Sequence, residues 1–191
     1  MGATQMNMPD TQQGSAWKTA QMMGGLMIPG ERLMRALRNS RLIDKLSESE
    51  IEILTGLITV QYFEVQEFAN ELDDVPFKDA LMILVEGEIE VSALVGDEPV
   101  SLHLEAPGDM ARIISFVGGD MMNINAIINI RQDSAVLLLQ RSRLETLLNS
   151  NPSIVYCVLR NLVLHVHGVA RRKSAEGEIM KNYLYGMNGR Y

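Results

Sequence analysis

The sequence is poor in the residues that build disulfides, zinc sites and basic surfaces. Its 191 residues include one cysteine, Cys157, so no internal disulfide can form and zinc sites that need two cysteines are excluded. A single cysteine fits a reducing cytoplasm, which is the location we predict. The net charge is −7 and the sequence pI is near 5.0, so we expect no nucleic-acid binding through a broad basic face.

Long hydrophobic runs and targeting signals are also missing. No stretch of about 18 uncharged apolar residues occurs, so we predict no transmembrane segment. The N-terminus lacks a basic region followed by an apolar one, and no signal peptide is evident. The sequence contains no Gly-x-Ser-x-Gly, P-loop or dinucleotide-binding motif. We therefore predict that the protein is not an enzyme and has no cofactor.

Histidines give little sign of a metal site. His165 and His167 have His-x-His spacing, but on a helix two residues apart point in different directions and cannot share a metal ion. His103 is the one histidine in the region of predicted strands. We predict no metal site, and we interpret Cys157 as a small core residue, since it lies within an apolar stripe.

The charge is distributed unevenly along the chain. Residues 1–43 carry a net charge of +3 and residues 110–191 carry +5, whereas residues 44–109 hold 17 acidic side chains against two lysines. The acidic middle is either a solvated surface or one side of an electrostatic contact between subunits. The sequence leaves both interpretations open.

Both ends of the chain have unusual compositions. Residues 1–30 are predicted to form a flexible arm rich in methionine and glycine, and its stretch 20–29 is apolar and almost uncharged. Residues 177–191 are predicted to form a C-terminal tail that contains three tyrosines. Each end is either a floppy segment or a docking element for a protein partner, because flexible Met-rich chains adapt to irregular surfaces.

The periodicity of apolar residues predicts the architecture between these ends. Helical spacing marks residues 31–58, where one helix runs from Glu31 to Lys45 and a Ser47–Glu50 capping box starts a second helix through Leu57. Residues 59–140 alternate with the period of a strand and are predicted to form a β-roll. The strand candidates are Thr59–Val65, Ala80–Val85, Ile89–Val95, Val100–Leu104, Met122–Ile130 and Ala135–Leu139. The fold class is thus α+β, mainly β: an antiparallel jelly roll flanked by N-terminal helices and a long C-terminal helix.

The C-terminal helical region, residues 141–176, predicts self-association. It consists of a short helix and a longer one that begins at Asn151-Pro152. The apolar stripe of the longer helix is too wide to be covered on one side. We expect a homodimer, or a larger assembly, through residues 152–172.

The order of elements, together with several motifs, resembles the cyclic-nucleotide-binding domain of the catabolite activator protein family and of kinase regulatory subunits. The resemblance covers about Leu42 to Lys173. The motifs that carry it are Leu46-Ser47-x-x-Glu50, Glu86-Gly87-Glu88-Ile89-Glu90-Val91, Leu104-x-x-Pro107-Gly108-Asp109, Gly118-Gly119, Leu138-Leu139-x-Arg141-x-x-Leu144-x-x-Leu147 and Asn151-Pro152. Transcription factors of this family carry a DNA-binding domain after the long helix. We expect none here, since few residues follow Lys173.

The resemblance breaks down at the phosphate-binding cassette. In the family, this cassette follows the Pro-Gly-Asp turn and uses a Gly-Glu pair and an arginine in a downstream Arg-x-Ala-x-Val strand. Helix-terminal amides and the guanidinium hold the cyclic phosphate, and the carboxylate holds the ribose. Aligned without a gap, this chain has Arg112-Ile113 at the Gly-Glu pair, and no Lys or Arg occurs from residue 113 to residue 130.

These replacements predict that standard cyclic nucleotide binding is lost. Two missing charge-assisted contacts, at about 1.5–3 kcal/mol each, weaken binding by about two to four decades. The alternative is a small-molecule sensor that binds a cyclic nucleotide or another anion in the modified cassette, through the candidate pocket residues Arg112, Ser115, Asn123 and Asn125. The other interpretation is that none of the four binds a ligand: Arg112 is exposed to solvent, Asn123 and Asn125 lie on the outer face of the sheet, and Ser115 is an ordinary helix residue. We predict a non-enzymatic regulatory and interaction module that assembles with itself or with protein partners.

Overall fold

The computed structural model describes the backbone of residues 21–23, 26–65, 68–69, 79–95, 98–118 and 126–187. Five helices lie in these ranges: α1 (Gly30–Asn39), α2 (Glu48–Thr55), α3 (Ile113–Gly118), α4 (Arg141–Glu145) and α5 (Pro152–Met187). The same ranges contain eight strands: β1 (Gln21–Met23), β2 (Leu26–Ile28), β3 (Ile58–Phe63), β4 (Phe68–Ala69), β5 (Ala80–Val95), β6 (Glu98–Leu104), β7 (Met110–Ala111) and β8 (Ala126–Gln140).

The strands of the roll pair in antiparallel fashion around two long members, β5 and β8. The sheet has the order β3-β8-β5-β6, with β4 added to β8 and β7 added to β5. Strands β5 and β8 are paired along almost their whole length, from Ala80 opposite Gln140 to Ala93 opposite Ala126. The predicted fold class, an antiparallel roll with helices before and after it, is confirmed.

Each long strand replaces two strands of the prediction. Ala80–Val85 and Ile89–Val95 were expected to be separated by a turn at Glu86-Gly87-Glu88, but they form one strand with register shifts between Leu84 and Ile89. The backbone of Gly87 has a φ of 96°, which lets the strand bend without losing its partner. Likewise, Ala135–Leu139 and the described part of Met122–Ile130 belong to the single strand β8.

The alternation of side chains along β5 divides its apolar residues between two cores. Before the bend, alternate side chains of β5 face opposite ways: Leu81 and Ile83 pack with the helices, whereas Met82 and Leu84 pack inside the roll. After the bend, Ile89 and Val91 of β5 line the interior of the roll. The remaining buried members of the interior core are Phe63, Ala80, Leu104, Ala111, Ile128, Ile130, Val136 and Leu138. The long strands are therefore apolar on both faces in one half only, where the helices cover them.

The N-terminal helices have the buried faces that their spacing predicts, but α1 is shorter than expected. Leu33, Ala36 and Leu37 are buried, while the arginines at positions 32, 35, 38 and 41 are exposed. The predicted helix to Lys45 ends at Asn39, because residues 40–45 form turns and both Arg41 and Lys45 have positive φ angles. The arginine stripe is thus a solvent-facing one, with Arg32 Nη1 2.8 Å from Glu86 Oε2.

The predicted capping box is present at the start of α2. The Ser47 side chain accepts a hydrogen bond from the Glu50 amide, and the Glu50 carboxylate accepts one from the Ser47 amide. The hydrogen bond from the Ser47 amide lowers the pKa of Glu50, and a further one from Ser153 Oγ acts in the same direction. Since Ser153 lies in the first turn of α5, one carboxylate joins the two helix starts. Ile58, the last residue of the predicted helical region 31–58, lies in β3.

Helix α5 packs one face against the rest of the domain. Ile154, Val155, Val158 and Leu162 are buried on this face. Beside them, the buried Asn161 donates from Nδ2 to the carbonyl oxygens of residues 42 and 44, at 2.9 and 2.8 Å. The helix continues to Met187, beyond the predicted boundary at residue 176, so the backbone of the predicted C-terminal tail is helical over much of its length.

The same helix meets the simple criteria for a membrane span. By length and composition alone, Pro152–Arg172 is long and apolar enough to cross a membrane, with a mean hydropathy of 1.4. The polar Asn161 within this segment is bound to the turn that follows α1. The absence of a transmembrane segment stays a prediction.

The apolar N-terminal stretch contains a small hairpin. Strands β1 and β2 pair in antiparallel register, with Met22 opposite Met27. The segment 1–30, expected to be flexible throughout, therefore contains regular structure at its C-terminal end, where closely spaced apolar residues flank two glycines. Residues 1–20 of this predicted arm lie outside the described residues.

The close contact at Gly87 predicts a large effect of adding one methyl group. A Cβ atom at Gly87 would overlap Ser134 Oγ and lie 2.5 Å from the Asp133 carbonyl oxygen. We expect Gly87→Ala to lower the free energy of unfolding by about 2–4 kcal/mol, from overpacking together with the positive φ. Urea denaturation followed by circular dichroism measures the change.

Gly168 is the matched control, since it lies in α5 with nothing within 4 Å of an added Cβ. Gly168→Ala should raise the free energy of unfolding by about 0.5–1 kcal/mol, because alanine restricts the unfolded chain and favours helix. Equal destabilisation by the two substitutions would contradict the role given to Gly87.

Candidate functional site

The turn that leads into the cassette is built against the end of α1. Gly108 has a φ of 102°, and a Cβ there would lie 2.6 Å from Asn39 Cβ and 2.7 Å from the Ser40 amide nitrogen. Asn39 Nδ2 also donates a hydrogen bond to the Pro107 carbonyl oxygen at 3.0 Å. Only glycine fits this approach without strain, so the Pro-Gly-Asp motif fixes the position of the cassette relative to α1.

Asp109, the last residue of this motif, has a structural role. Its Oδ2 atom accepts hydrogen bonds from the amides of Glu105 at 3.0 Å and Ala106 at 2.9 Å. The Asp109 carbonyl oxygen accepts from the Leu84 amide at 2.9 Å, while the Gly108 amide donates to the Leu84 carbonyl at 2.8 Å. These hydrogen bonds join the turn to strand β5, and the Asp109 side chain stabilises the loop.

The cassette itself begins at a strained residue. Arg112, which precedes the short helix α3, has a φ of 65°, in the left-handed region that glycine adopts most easily. Its carbonyl oxygen accepts the amide of Phe116, whose side chain is fully buried and anchors α3 to the roll. The conformation is therefore that of the glycine which the resemblance implies at this position, although an arginine occupies it.

The structure brings two of the four candidate pocket residues to the same short helix. Arg112 lies directly before α3 and Ser115 lies within it, and both side chains are half-buried. Asn123 and Asn125 lie outside the described residues. The exposed side chains of α3 are apolar, namely Ile114 and Val117.

The first arginine after the cassette, Arg131, forms an ion pair with Glu90. Arg131 lies on β8 and binds Glu90 of β5, with Arg131 Nε 3.2 Å from Glu90 Oε2 and Nη2 bonded to the same oxygen. Glu90 alternates with the inward-facing Ile89 and Val91, so the ion pair lies on the outer face of the roll. The hydrogen bond from Arg131 lowers the pKa of Glu90. This arginine cannot serve a ligand inside the roll while it holds this contact.

A group of ligand-type side chains that the sequence patterns did not predict lies on the same outer face. Glu88, His103 and Glu105 each place a potential ligand atom within 4.8 Å of the other two. One signal was readable in advance, since His103 and Glu105 are two residues apart and alternation puts both on one face of a strand. The contribution of Glu88 depends on strand register, which spacing alone does not give.

The two α5 histidines and Cys157 do not form a site together in the described part of the chain. His165 is half-buried and His167 is exposed. Burial lowers the pKa of His165, the Arg172 charge lowers it further, and Asp109 acts in the opposite direction. Cys157 is half-buried, less enclosed than the core residue we expected.

Comparison with known structures identifies the fold. The chain is similar to a cyclic nucleotide-binding domain from Methylobacillus flagellatus, with a TM-score of 0.59, 17% identity, and coverage of 78% of this chain and 84% of that one. It is also similar to the Thermus thermophilus catabolite activator protein, with a TM-score of 0.53, 18% identity, and coverage of 73% and 62%. The fold is therefore that of cyclic nucleotide-binding domains, as the sequence motifs implied.

A third similar structure comes from a eukaryote. It is a mutant regulatory subunit of a cAMP-independent protein kinase A from Trypanosoma brucei, bound to cAMP, with a TM-score of 0.51 and 18% identity. The alignment covers 73% of this chain and 51% of that one. No protein-family model and no curated protein matches the chain. The similar structures are regulatory or binding domains, which is consistent with a non-enzyme.

The left-handed backbone at position 112 predicts that glycine gives a more stable protein than alanine there, the reverse of their usual order. Arg112→Gly and Arg112→Ala remove the same side chain, but only glycine adopts a positive φ at little cost. We expect the glycine variant to be the more stable of the two by about 1 kcal/mol, measured by chemical denaturation. An alanine variant that is equally or more stable would show that the position does not require this conformation.

Proposed function

We propose that the protein is a non-enzymatic regulatory module that has kept the fold of cyclic nucleotide-binding domains, lost standard cyclic nucleotide binding and self-associates through α5. The loss is supported by the cassette, where the ribose-binding glutamate and the phosphate-binding arginine of the family have no counterparts in residues 113–130. The charged residue next to the cassette helix, Arg112, stands where the family has glycine. The Pro-Gly-Asp turn, by contrast, is intact and serves the fold.

The observation that carries self-association is an apolar stripe on the outer side of α5. The stripe consists of Tyr156, Leu159, Val163 and Val166, which are 67%, 38%, 66% and 44% exposed. Their 3-4-3 spacing is that of the seam in a two-stranded coiled coil. The buried residues Ile154, Val158 and Leu162 lie on a different face, centred about 120° around the helix axis from the stripe. An exposed apolar face of this kind is typical of a protein interface, and in a symmetric dimer the same face of a second copy buries it.

Protein partners other than a second copy stay predictions at the two ends of the chain. Most residues of the apolar stretch 20–29 belong to the hairpin of β1 and β2, and most of residues 177–191 belong to the C-terminal part of α5. Either segment can serve as a docking element beside a dimer formed by α5. A cytoplasmic location also stays a prediction.

A charge in the centre of the stripe tests the dimer. Val163→Glu places a carboxylate in the proposed seam, and burial of an unpaired charge is strongly unfavourable. We expect wild-type protein to have the mass of a dimer and the variant to be monomeric, by size-exclusion chromatography with light scattering.

Leu164→Glu is the matched control, since Leu164 is 53% exposed on the same helix but lies about 100° around its axis from Val163. This variant should stay dimeric. A wild-type chain that is monomeric, or that is recovered only with membranes, would contradict the proposal.

Calorimetric titration tests the loss of ligand binding. We expect no heat of binding for cyclic AMP or cyclic GMP at micromolar concentration, because the missing contacts cost about two to four decades of affinity. Titration of Arg112→Ala in parallel separates the two hypotheses. Micromolar binding that the substitution abolishes would support the alternative sensor, in which the modified cassette recognises an anion.

A further inference from the structure

We propose that Glu88, His103 and Glu105 bind one divalent transition-metal ion, such as Zn²⁺, on the outer face of the roll. Their ligand atoms lie within 4.8 Å of one another. Zinc coordination brings such atoms to about 2.0–2.2 Å from the ion, so small side-chain rotations complete the site. None of the three residues belongs to the candidate cassette pocket or to the exposed stripe of α5.

The antiparallel register of β5 and β6 places the three residues together. It pairs Ile89 with Leu104 and Glu90 with His103, so Glu88 comes next to Glu105. Ile89 and Leu104 are buried inside the roll, and the residues that alternate with them point to the other face. The three ligand side chains therefore share one face of the sheet.

The backbone at both carboxylates is held by hydrogen bonds. The Glu88 amide donates to Ser134 Oγ at 3.1 Å, directly after the bend at Gly87. The Glu105 amide donates to Asp109 Oδ2 at 3.0 Å, within the Pro-Gly-Asp loop. Because two rigid features of the fold position these residues, little backbone order has to be gained when an ion binds.

The donor set suits an ion of the zinc type. One imidazole nitrogen and two carboxylate oxygens are typical ligands of zinc and its neighbours, and three protein ligands leave a position for water. Glu90 Oε1 lies 4.0 Å from His103 Nε2, which is beyond hydrogen-bond distance, and a small side-chain rotation would let this carboxylate orient a ligating histidine. Three glutamates and Arg131, which binds Glu90, give a local charge of −2, which a divalent ion neutralises.

Metal titration of the untagged full-length protein tests the site. We expect one equivalent of Zn²⁺ to bind with micromolar affinity by calorimetry, and Co²⁺ to give a visible absorption spectrum when it occupies the same site. His103→Ala and Glu88→Gln should each weaken Zn²⁺ binding about tenfold or more. The midpoint of urea denaturation without metal should stay unchanged for His103→Ala, since this side chain is exposed.

His167→Ala is the matched control, because His167 is an exposed histidine on α5, outside the proposed site. It should leave affinity and stoichiometry unchanged. The proposal is overturned if Zn²⁺ does not bind at about 100 μM, if His103→Ala binds like wild type, or if the two histidine variants lose binding equally.

Discussion

The contact between Gly87 and Ser134 is the constraint on which the described fold most depends. A glycine with a positive φ lies directly against the neighbouring long strand, and Ser134 Oγ accepts the amide of Glu88 on the far side of the bend. The pairing of β5 with β8 can thus continue through a change of direction. One pair of strands then contributes to two cores, one under the helices and one inside the roll.

The cassette region separates the residues that shape a binding site from those that bind a ligand. Gly108 and Asp109 keep the turn in place through contacts with α1 and β5 that need no ligand. Arg112 retains the left-handed conformation although it lacks the freedom of glycine. The shape of this region therefore depends on packing and backbone hydrogen bonds, and not on the side chains that the resemblance assigns to nucleotide recognition.

Features that depend on near neighbours in the chain could be predicted, and those that depend on distant ones could not. The capping box at Ser47 involves residues three apart, and its spacing predicted it. The continuity of β5 could not be predicted, since the role of Gly87 depends on Ser134 far along the sequence. Likewise, the two-residue spacing of His103 and Glu105 was visible in the sequence but was not interpreted as a metal site, and the place of Glu88 beside them follows from strand register.

The two hydrogen bonds of Asn161 have a consequence for how subunits can be arranged. Both hydrogens of its amide are directed at the turn after α1, so α5 cannot roll about its own axis without breaking them. The direction in which Val163 and its stripe face is therefore set by the domain and not by the partner. In a dimer joined along that stripe, the angle between the two rolls would be fixed. A ligand or protein that broke the hydrogen bonds between Asn161 and the turn after α1 would allow that angle to change.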